Sequence, residues 1–293
     1  MNAPHFVTDL TTIGHRRRCA PENSQTFAFA VPLKPGTIRQ LAGESSGDEK
    51  EMTKPICLWS GPRNVSTALM YSFAQLPKLQ VVDEPLYGHY LRVSGAEHPG
   101  GHEVMDSMDC DGDAVISDLM QRQASDPSIV LFIKHMAHHL VDLDLDFLQS
   151  TRNIFLIRDP REMLPSLTVQ LPNATLIDTG LKRQWDLYSD LIRTGQKPVI
   201  LDSRELLLEP ASVIRALCVE LDLDFRNNML SWQAGPRMED GVWAPHWYHA
   251  VHKSTGFAPY QPKSGFPKEL QHLLDECIPF YEKLFEHALR ADA

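Results

Sequence analysis

Several absences narrow the classes of protein to which this sequence can belong. No apolar stretch approaches the ~20 residues that a membrane-spanning helix needs, so we expect no integral membrane contact. The 28 Lys and Arg residues against 38 Asp and Glu leave no basic excess, which argues against a nucleic-acid binder. The five cysteines include no Cys-x-x-Cys pair. They are expected to be core thiols in a reducing, cytoplasmic compartment rather than a disulfide framework or zinc ligands.

What is present is a chain of 293 residues, 43% hydrophobic, which is long enough for one large α/β domain. Residues 1–51 mix Pro, Gly, Ser and charge without a sustained hydrophobic period, so we interpret them as a disordered extension, with a transit peptide as the alternative. Residues 52–293 are interpreted as the folded domain.

Strands and helices alternate along that domain. Strands are predicted at 55–59, 79–83, 128–134, 153–158 and 198–202. Helices are predicted at 66–75, 114–124, 143–150, 160–168, 180–194, 211–221 and 267–289. This order predicts an α/β fold with three αβα layers, in which helices cover both faces of a central parallel sheet.

The most informative stretch is an apolar strand that breaks at Gly61 and restarts as a helical pattern. Such a junction points backbone N–H groups and the positive end of a helix dipole at one spot. The loop and the first helical turn add four side-chain donors, Arg63, Asn64, Ser66 and Thr67. The pattern predicts a phosphate or sulfate cradle; the alternative is a turn without a ligand.

This loop differs from the loop of magnesium-dependent nucleotide triphosphatases. When Gly61 is aligned with the first glycine of that motif, Ser66, Thr67 and Ala68 stand where Gly-Lys-Ser/Thr is needed. The phosphate lysine and the magnesium hydroxyl are therefore both missing. ATP or GTP hydrolysis is disfavoured, and we expect no metal.

A second site is predicted about 95 residues later. A buried strand is expected to end in Arg158, with Asp159 as the N-cap of the following helix and Pro160 at its first position. Ser166 lies eight residues after Arg158, on the second turn of that helix. Taken alone, Arg158 also fits a salt-bridged strand end.

Together these motifs resemble the sulfotransferase superfamily, which transfers a sulfuryl group from 3′-phosphoadenosine-5′-phosphosulfate (PAPS) on a P-loop-like α/β fold. The resemblance covers roughly residues 54–288. In that family a Pro-Lys/Arg-Ser-Gly-Thr-Thr loop holds the 5′-phosphosulfate, and an Arg with a Ser eight residues later holds the 3′-phosphate. It implies that the donor is bound by Arg63, Asn64, Ser66, Thr67, Arg158 and Ser166. Val65 stands where many members have Gly.

The ends of the second and third strands supply candidate catalytic groups. Glu84 is our first choice as general base, because several sulfotransferase branches use a glutamate at a comparable strand end. Lys134 would stabilise charge on the bridging oxygen of the leaving nucleotide, together with Arg63. The Lys-x-His of cytosolic sulfotransferases would place its histidine at 136, which is Met here. His135 and His138 are therefore displaced candidates, and the choice between Glu84 and a histidine stays open.

A late segment, residues 243–257, is dense in aromatic and histidine residues and is named here the flap segment. We expect three of its rings to cover the acceptor or the adenine: Trp243, Trp247 and Tyr248. In the superfamily a late basic and glycine-containing loop approaches the 3′-phosphate, which implies this role for Lys253, Ser254 and Gly256. Packing of the rings in the core is the alternative.

The expected function is PAPS-dependent sulfuryl transfer to a hydroxyl or amine of a small-molecule acceptor. A P-loop kinase-like phosphotransferase would share the fold but need magnesium and prefer ATP. A non-catalytic nucleotide-binding protein would bind nucleotide without consuming PAPS. The sequence does not identify the acceptor or the oligomeric state.

Overall fold

The computed structural model describes residues 54–290, and the extension predicted at 1–51 lies outside this range. The strands are β1 (Ile56–Ser60), β2 (Leu79–Asp83), β3 (Val130–Met136), β4 (Arg152–Ile157) and β5 (Val199–Asp202). The helices are α1 (Ser66–Phe73), α2 (Tyr87–Ser94), α3 (Gly101–Ser107), α4 (Gly112–Ser125), α5 (Pro160–Leu167), α6 (Leu176–Thr179), α7 (Leu181–Arg193), α8 (Ser203–Leu208), α9 (Pro210–Glu220), α10 (Ala244–Trp247) and α11 (Gln271–Glu286).

The five strands form one parallel sheet in the order β2-β3-β1-β4-β5. The predicted α/β class with a central parallel sheet is therefore confirmed. From central β1 the chain moves first to β2 and β3 on one side and then to β4 and β5 on the other. Ser60 of β1 is in register with Met136 and Leu156, so the carboxyl ends of three strands meet at one edge, where α/β folds bind ligands.

Each face of the sheet carries its own hydrophobic core. One core packs the sheet against α4, α5, α7 and α11, and the other packs it against α1 and α9. Both β1 and β3 are buried along their whole length, as expected for central strands covered on two sides. Cys57, Cys218 and Cys277 are buried free thiols within these cores.

A third, smaller core lies beyond the carboxyl edge of the sheet and joins α2 and α3 to the flap segment. The sequence pattern did not predict α2 or α3, because their residues include Gly, His and Ser without a continuous apolar stripe. These helices are instead stabilised by aromatic contacts with the flap segment. The helix predicted at 143–150 is present only as a short 3₁₀ turn at Asp146–Ser150.

Candidate active site

The loop between β1 and α1 has an unusual backbone conformation. Arg63 and Val65 have φ angles of 62° and 59°, in the left-handed region that β-branched residues rarely adopt. A Cβ at Gly61 would lie 2.3 Å from the Thr179 carbonyl oxygen, so only glycine fits there. Val65 is also the N-cap of α1, and it provides no side-chain cap. The first N–H groups of the helix are therefore left to a ligand or to water.

Asn64 fastens this loop to the sheet. Its Nδ2 donates to the carbonyl oxygen of Leu156 at 3.1 Å, and its own carbonyl accepts from Ser203 Oγ at 2.9 Å. Asn64 is only 2% exposed. Its side-chain amide therefore holds the loop in place, while Ser66 and Thr67 also border the cavity above it.

Two arginines meet over the loop. Arg63 Nε donates to Ser166 Oγ at 3.0 Å, and Arg158 Nη1 donates to the Arg63 carbonyl oxygen at 2.8 Å. Burial, together with the charge of Arg158, lowers the pKa of the Arg63 guanidinium. The one carboxylate that pairs with either guanidinium among residues 54–290 is Glu162, at 3.4 Å from Arg158 Nε. Two close cations with so little neutralisation attract anions.

The late basic residue near these arginines is Lys263 rather than the predicted Lys253. Lys253 and Lys263 are both exposed, and neither borders the cavity, but Lys263 contacts the helix that carries Ser166. Lys263 Nζ donates to the Glu162 carbonyl oxygen at 2.8 Å. Its pKa is lowered by burial and by the charges of Arg158 and Arg63, which places the three cations in one field. Both lysines stand in a Lys-Ser pair closely followed by Gly, so the motif alone did not distinguish them.

The cavity at the carboxyl edge has a volume of about 280 Å³. It is bordered by the β1–α1 loop, the ends of β2 and β3, Arg158, Ser166 and much of the flap segment. The three predicted flap rings, Trp243, Trp247 and Tyr248, reach its wall, as do Ser254 and Gly256. Gly256 is also needed for packing, since a Cβ there would lie 2.8 Å from the Leu230 carbonyl oxygen.

Lys134 lies at the centre of a buried charge cluster. Its Nζ donates to Asp83 Oδ1 at 2.7 Å, to Glu84 Oε1 at 2.5 Å and to the Tyr248 hydroxyl at 2.8 Å. Tyr248 in turn donates to Asp83 Oδ2 at 2.7 Å and accepts from Trp243 Nε1 at 3.1 Å. Burial lowers the pKa of Lys134, but the charges of the two carboxylates outweigh it and raise that pKa overall. Lys134 therefore stays protonated.

Glu84 borders the cavity at the end of β2. Its backbone has a φ of 41°, at a tight bend after that strand. Only Oε1 is hydrogen-bonded by residues within 54–290, so Oε2 is left for a ligand. Burial raises the pKa of this carboxyl, against the opposing charge of Lys134. A raised carboxyl pKa suits a group that takes up a proton near neutral pH.

The structure does not bring His135 to the cavity. Its ring stacks on Trp59 at 4.3 Å on the opposite face of β3, and neither ring nitrogen has a hydrogen-bond partner within residues 54–290. The expectation of a catalytic His135 therefore has no support from geometry. His138 does border the cavity, as do His98, His139 and Tyr87, three residues that the sequence pattern did not single out.

The described part of the chain has neither a metal-binding cluster nor a membrane-spanning helix. Within residues 54–290, no group of three or more His, Cys, Asp or Glu residues is placed to hold a metal ion. The helices in that range are all too short or too polar to cross a membrane.

Comparison with protein families shows which family this chain belongs to. The family model described as "Sulfotransferase domain" matches residues 54–288. The chain belongs to the sulfotransferase domain family. Its membership supports sulfuryl transfer as the general class of activity, and the predicted resemblance is confirmed over the same residues.

Curated relatives of this sulfotransferase-domain chain include two proteins of Arabidopsis thaliana. They are named branched-chain-amino-acid aminotransferase-like protein 2 and protein 1, and each is 39% identical over 231 residues. The alignment covers 78% of this chain and 41% of each relative. The chain thus spans about two fifths of their length, and those names describe the longer proteins.

Two solved structures are also similar to part of this chain. The sulfotransferase domain of the Synechococcus PCC 7002 olefin synthase has a TM-score of 0.49 at 18% identity, and the match covers 84% of this chain and 100% of that domain. A sulfotransferase from Alicyclobacillus acidocaldarius has a TM-score of 0.43 at 12% identity, over 80% of this chain and 97% of its own.

Proposed function

We propose that this protein transfers a sulfuryl group from PAPS to a hydroxyl or amine of a small-molecule acceptor. The observation that carries the proposal is the cluster of Arg63, Arg158 and Lys263 beside an uncapped helix N-terminus, with Glu162 as its only close carboxylate within residues 54–290. PAPS carries phosphate groups at two ends of its ribose, and such a cluster matches this charge. The cytoplasmic location expected from the cysteines stays a prediction.

The residues present fit the donor in two parts. Ser66, Thr67 and the first N–H groups of α1 would hold the 5′-phosphosulfate. Arg158, Ser166 and Lys263 would hold the 3′-phosphate. Arg63 would serve both parts, because its guanidinium reaches Ser166 from the loop.

The chemical step needs no metal in this arrangement. The acceptor oxygen or nitrogen forms a bond to sulfur while the bond from sulfur to the bridging oxygen of the nucleotide breaks. Glu84 takes the acceptor proton, and Lys134 and Arg63 stabilise the negative charge on the departing 3′-phosphoadenosine-5′-phosphate (PAP). Lys134 is already saturated by three partners, so it would exchange one of them for the leaving oxygen.

A calorimetric titration tests the donor assignment. We expect PAP to bind with micromolar affinity, more tightly than AMP or ATP with magnesium, because only PAP has the 3′-phosphate. Arg158→Ala should weaken PAP binding by at least about 30-fold and leave AMP and ATP binding nearly unchanged. The control is Arg161→Ala, which alters an exposed arginine on the same helix whose partner is Asp159.

The other outcomes would assign other functions. Equal losses for PAP and AMP in Arg158→Ala would contradict a 3′-phosphate role and point to a disturbed loop. Preference of the wild-type protein for ATP with magnesium would favour the kinase-like alternative. Tight PAP binding without PAPS consumption by any screened acceptor would favour a non-catalytic nucleotide-binding protein.

A further inference from the structure

The cavity has one wall made of aromatic and imidazole rings, which we name the ring chamber. All of its members border the cavity: Tyr87, His98, His138, His139, Trp243 and Trp247. These residues come from α2, the segment after it, the end of β3 and the flap segment. The groups proposed above for the two phosphate ends of the donor include none of these side chains, so the chamber remains for the acceptor or the adenine, and its chemistry distinguishes between them.

The rings of the chamber hold one another in fixed orientations. Tyr87 stacks on His139 with ring centres 4.8 Å apart, and its edge meets Trp243 at 5.3 Å. The Tyr87 hydroxyl also lies 2.9 Å from His98 Nδ1, and the His98 ring lies 6.2 Å from Trp247. Such preorganised ring faces bind planar groups, and their negative π faces attract cations.

The imidazoles of the chamber present hydrogen-bond acceptors. His138 is 7% exposed and His139 is 1% exposed, and the Nδ1 atom of each ring has no hydrogen-bond partner within residues 54–290. Burial lowers the pKa of His138 to about 3 and that of His139 well below its usual value. Both rings are therefore neutral at pH 7, and each keeps one nitrogen with a free lone pair. A ligand that donates hydrogen bonds would satisfy them.

Negative charges lie near the chamber. Asp178 borders the cavity, and its charge acts on His98 and His138. Its Oδ2 accepts from the backbone N and hydroxyl of Thr175, while Oδ1 has no partner within residues 54–290. Nearby, the two carboxylates and one ammonium of the Lys134 cluster sum to one negative charge. The positive groups of the cavity wall, Arg63 and Arg158, belong to the proposed donor site, and Arg63 Nη1 also donates to the Trp247 carbonyl oxygen at 3.1 Å.

We propose that the ring chamber is an ammonium-binding subsite and that Asp178 provides its counter-charge, so the acceptor carries a protonated amine on a planar ring. The ring faces, the unpaired imidazole nitrogens and the unpaired Oδ1 of Asp178 all favour such a group. The same negative charges would repel an acceptor that carries a carboxylate or a sulfate. That the bound molecule is a sulfuryl acceptor rests on the proposed function; the ammonium preference does not.

Three probes of similar size and different charge test the subsite: tyramine, 4-ethylphenol and 4-hydroxyphenylacetate. Their binding is measured by calorimetry at pH 7, with and without saturating PAP. Tyramine should bind about tenfold more tightly than 4-ethylphenol, and 4-hydroxyphenylacetate should bind most weakly. Equal affinities, the reverse order, or no binding of any probe would overturn the proposal.

Matched variants locate the effect. Asp178→Asn keeps an oxygen that accepts from Thr175, and it should abolish the preference for tyramine while leaving 4-ethylphenol binding unchanged. Asp186→Asn removes a carboxylate that pairs with Lys182 outside the cavity, and it should preserve the preference. A preference that survives Asp178→Asn would overturn the role of Asp178.

Two further readouts keep the result decisive. If Asp178→Asn does not fold, Trp247→Leu serves instead, because it removes a ring face. It should weaken the binding of tyramine more than the binding of 4-hydroxyphenylacetate. An equal effect on both probes would count against the subsite. PAP binding separates the two proposals. A tyramine preference without PAP binding would support the ammonium subsite and refute PAPS-dependent transfer. PAP binding with a different order of probe affinities would support the donor site and refute the ammonium subsite.

Discussion

At the scale of single residues, the choice between Glu84 and a histidine as base depends on burial. Burial disfavours the charged form of any group, so it raises the pKa of a carboxyl and lowers that of an imidazole. The pKa of His138 falls to about 3, which makes it a weak proton acceptor at neutral pH. Burial raises the pKa of Glu84, which makes the carboxylate a better proton acceptor, and its Oε2 is free beside the cavity. Glu84 is therefore the better supported base.

Glu84→Gln tests this role. The amide keeps an oxygen for Lys134 but takes up no proton, so we expect kcat for sulfuryl transfer to fall by about 10²- to 10⁴-fold. In the wild-type protein the rate should fall as pH drops through the raised pKa of Glu84, because the base must be ionised. That acidic limb should disappear in the variant.

PAP binding to the same variant is the control, and it should change little because the donor groups are untouched. A variant with near wild-type kcat and an unchanged pH profile would show that another group accepts the proton.

At the scale of secondary structure elements, the β1–α1 junction depends on a strained residue. A β-branched side chain in the left-handed region costs about 1–2 kcal/mol, yet Val65 adopts it. Val65 also packs its half-buried side chain against the α1 face of the core, which offsets part of that cost. The strained conformation leaves the start of α1 without a side-chain cap and open to an anion.

Val65→Gly should therefore be tolerated. Relief of strain offsets the lost packing, so we expect the free energy of unfolding to change by less than about 1 kcal/mol. Val199→Gly is the matched control, because Val199 is half-buried against the same core but lies in β5. It should cost about 2–3 kcal/mol in urea unfolding. Equal losses for the two variants would show that Val65 stores no strain.

At the scale of the whole molecule, buried histidines make stability depend on pH. His135 is fully buried, and burial with the charge of Lys134 lowers its pKa to about 3. Below about pH 6.5 His135 binds a proton in the unfolded chain but not in the folded one, so the free energy of unfolding falls on acidification until about pH 3. Asp202 acts oppositely, since burial raises its pKa to about 6 and the folded state gains stability as that carboxyl is protonated.

His135→Leu removes one such proton. The slope of the unfolding free energy against pH between about 6 and 4 should become less steep by about 1.4 kcal/mol per pH unit. The slope is measured by urea unfolding at several pH values. His272→Leu, which alters a histidine 90% exposed on α11, should leave the slope unchanged. Identical slopes for wild-type protein and His135→Leu would mean that His135 is protonated in the folded state.

Local patterns were sufficient to predict the sheet but not the aromatic wall of the cavity. Each strand is a short apolar run bounded by polar residues, and all five were predicted to within about two residues. Helices α2 and α3 lack that signal, since contacts with the flap segment stabilise them. Lys253 and Lys263 have the same local context, so only the path of the chain decided which one contacts α5 at Glu162.

The sequence by itself determined the apolar strands, the turn after β1 and the Asp159-capped start of α5, because each depends on neighbours close in the chain. Only the tertiary structure decided which groups reach the cavity. Successive side chains of a strand point to opposite faces, so Lys134 and Met136 border the cavity while His135 stacks on Trp59. The cluster of Lys134, Glu84 and Tyr248 joins residues 50 and 114 positions apart, and no local pattern encodes such a distance.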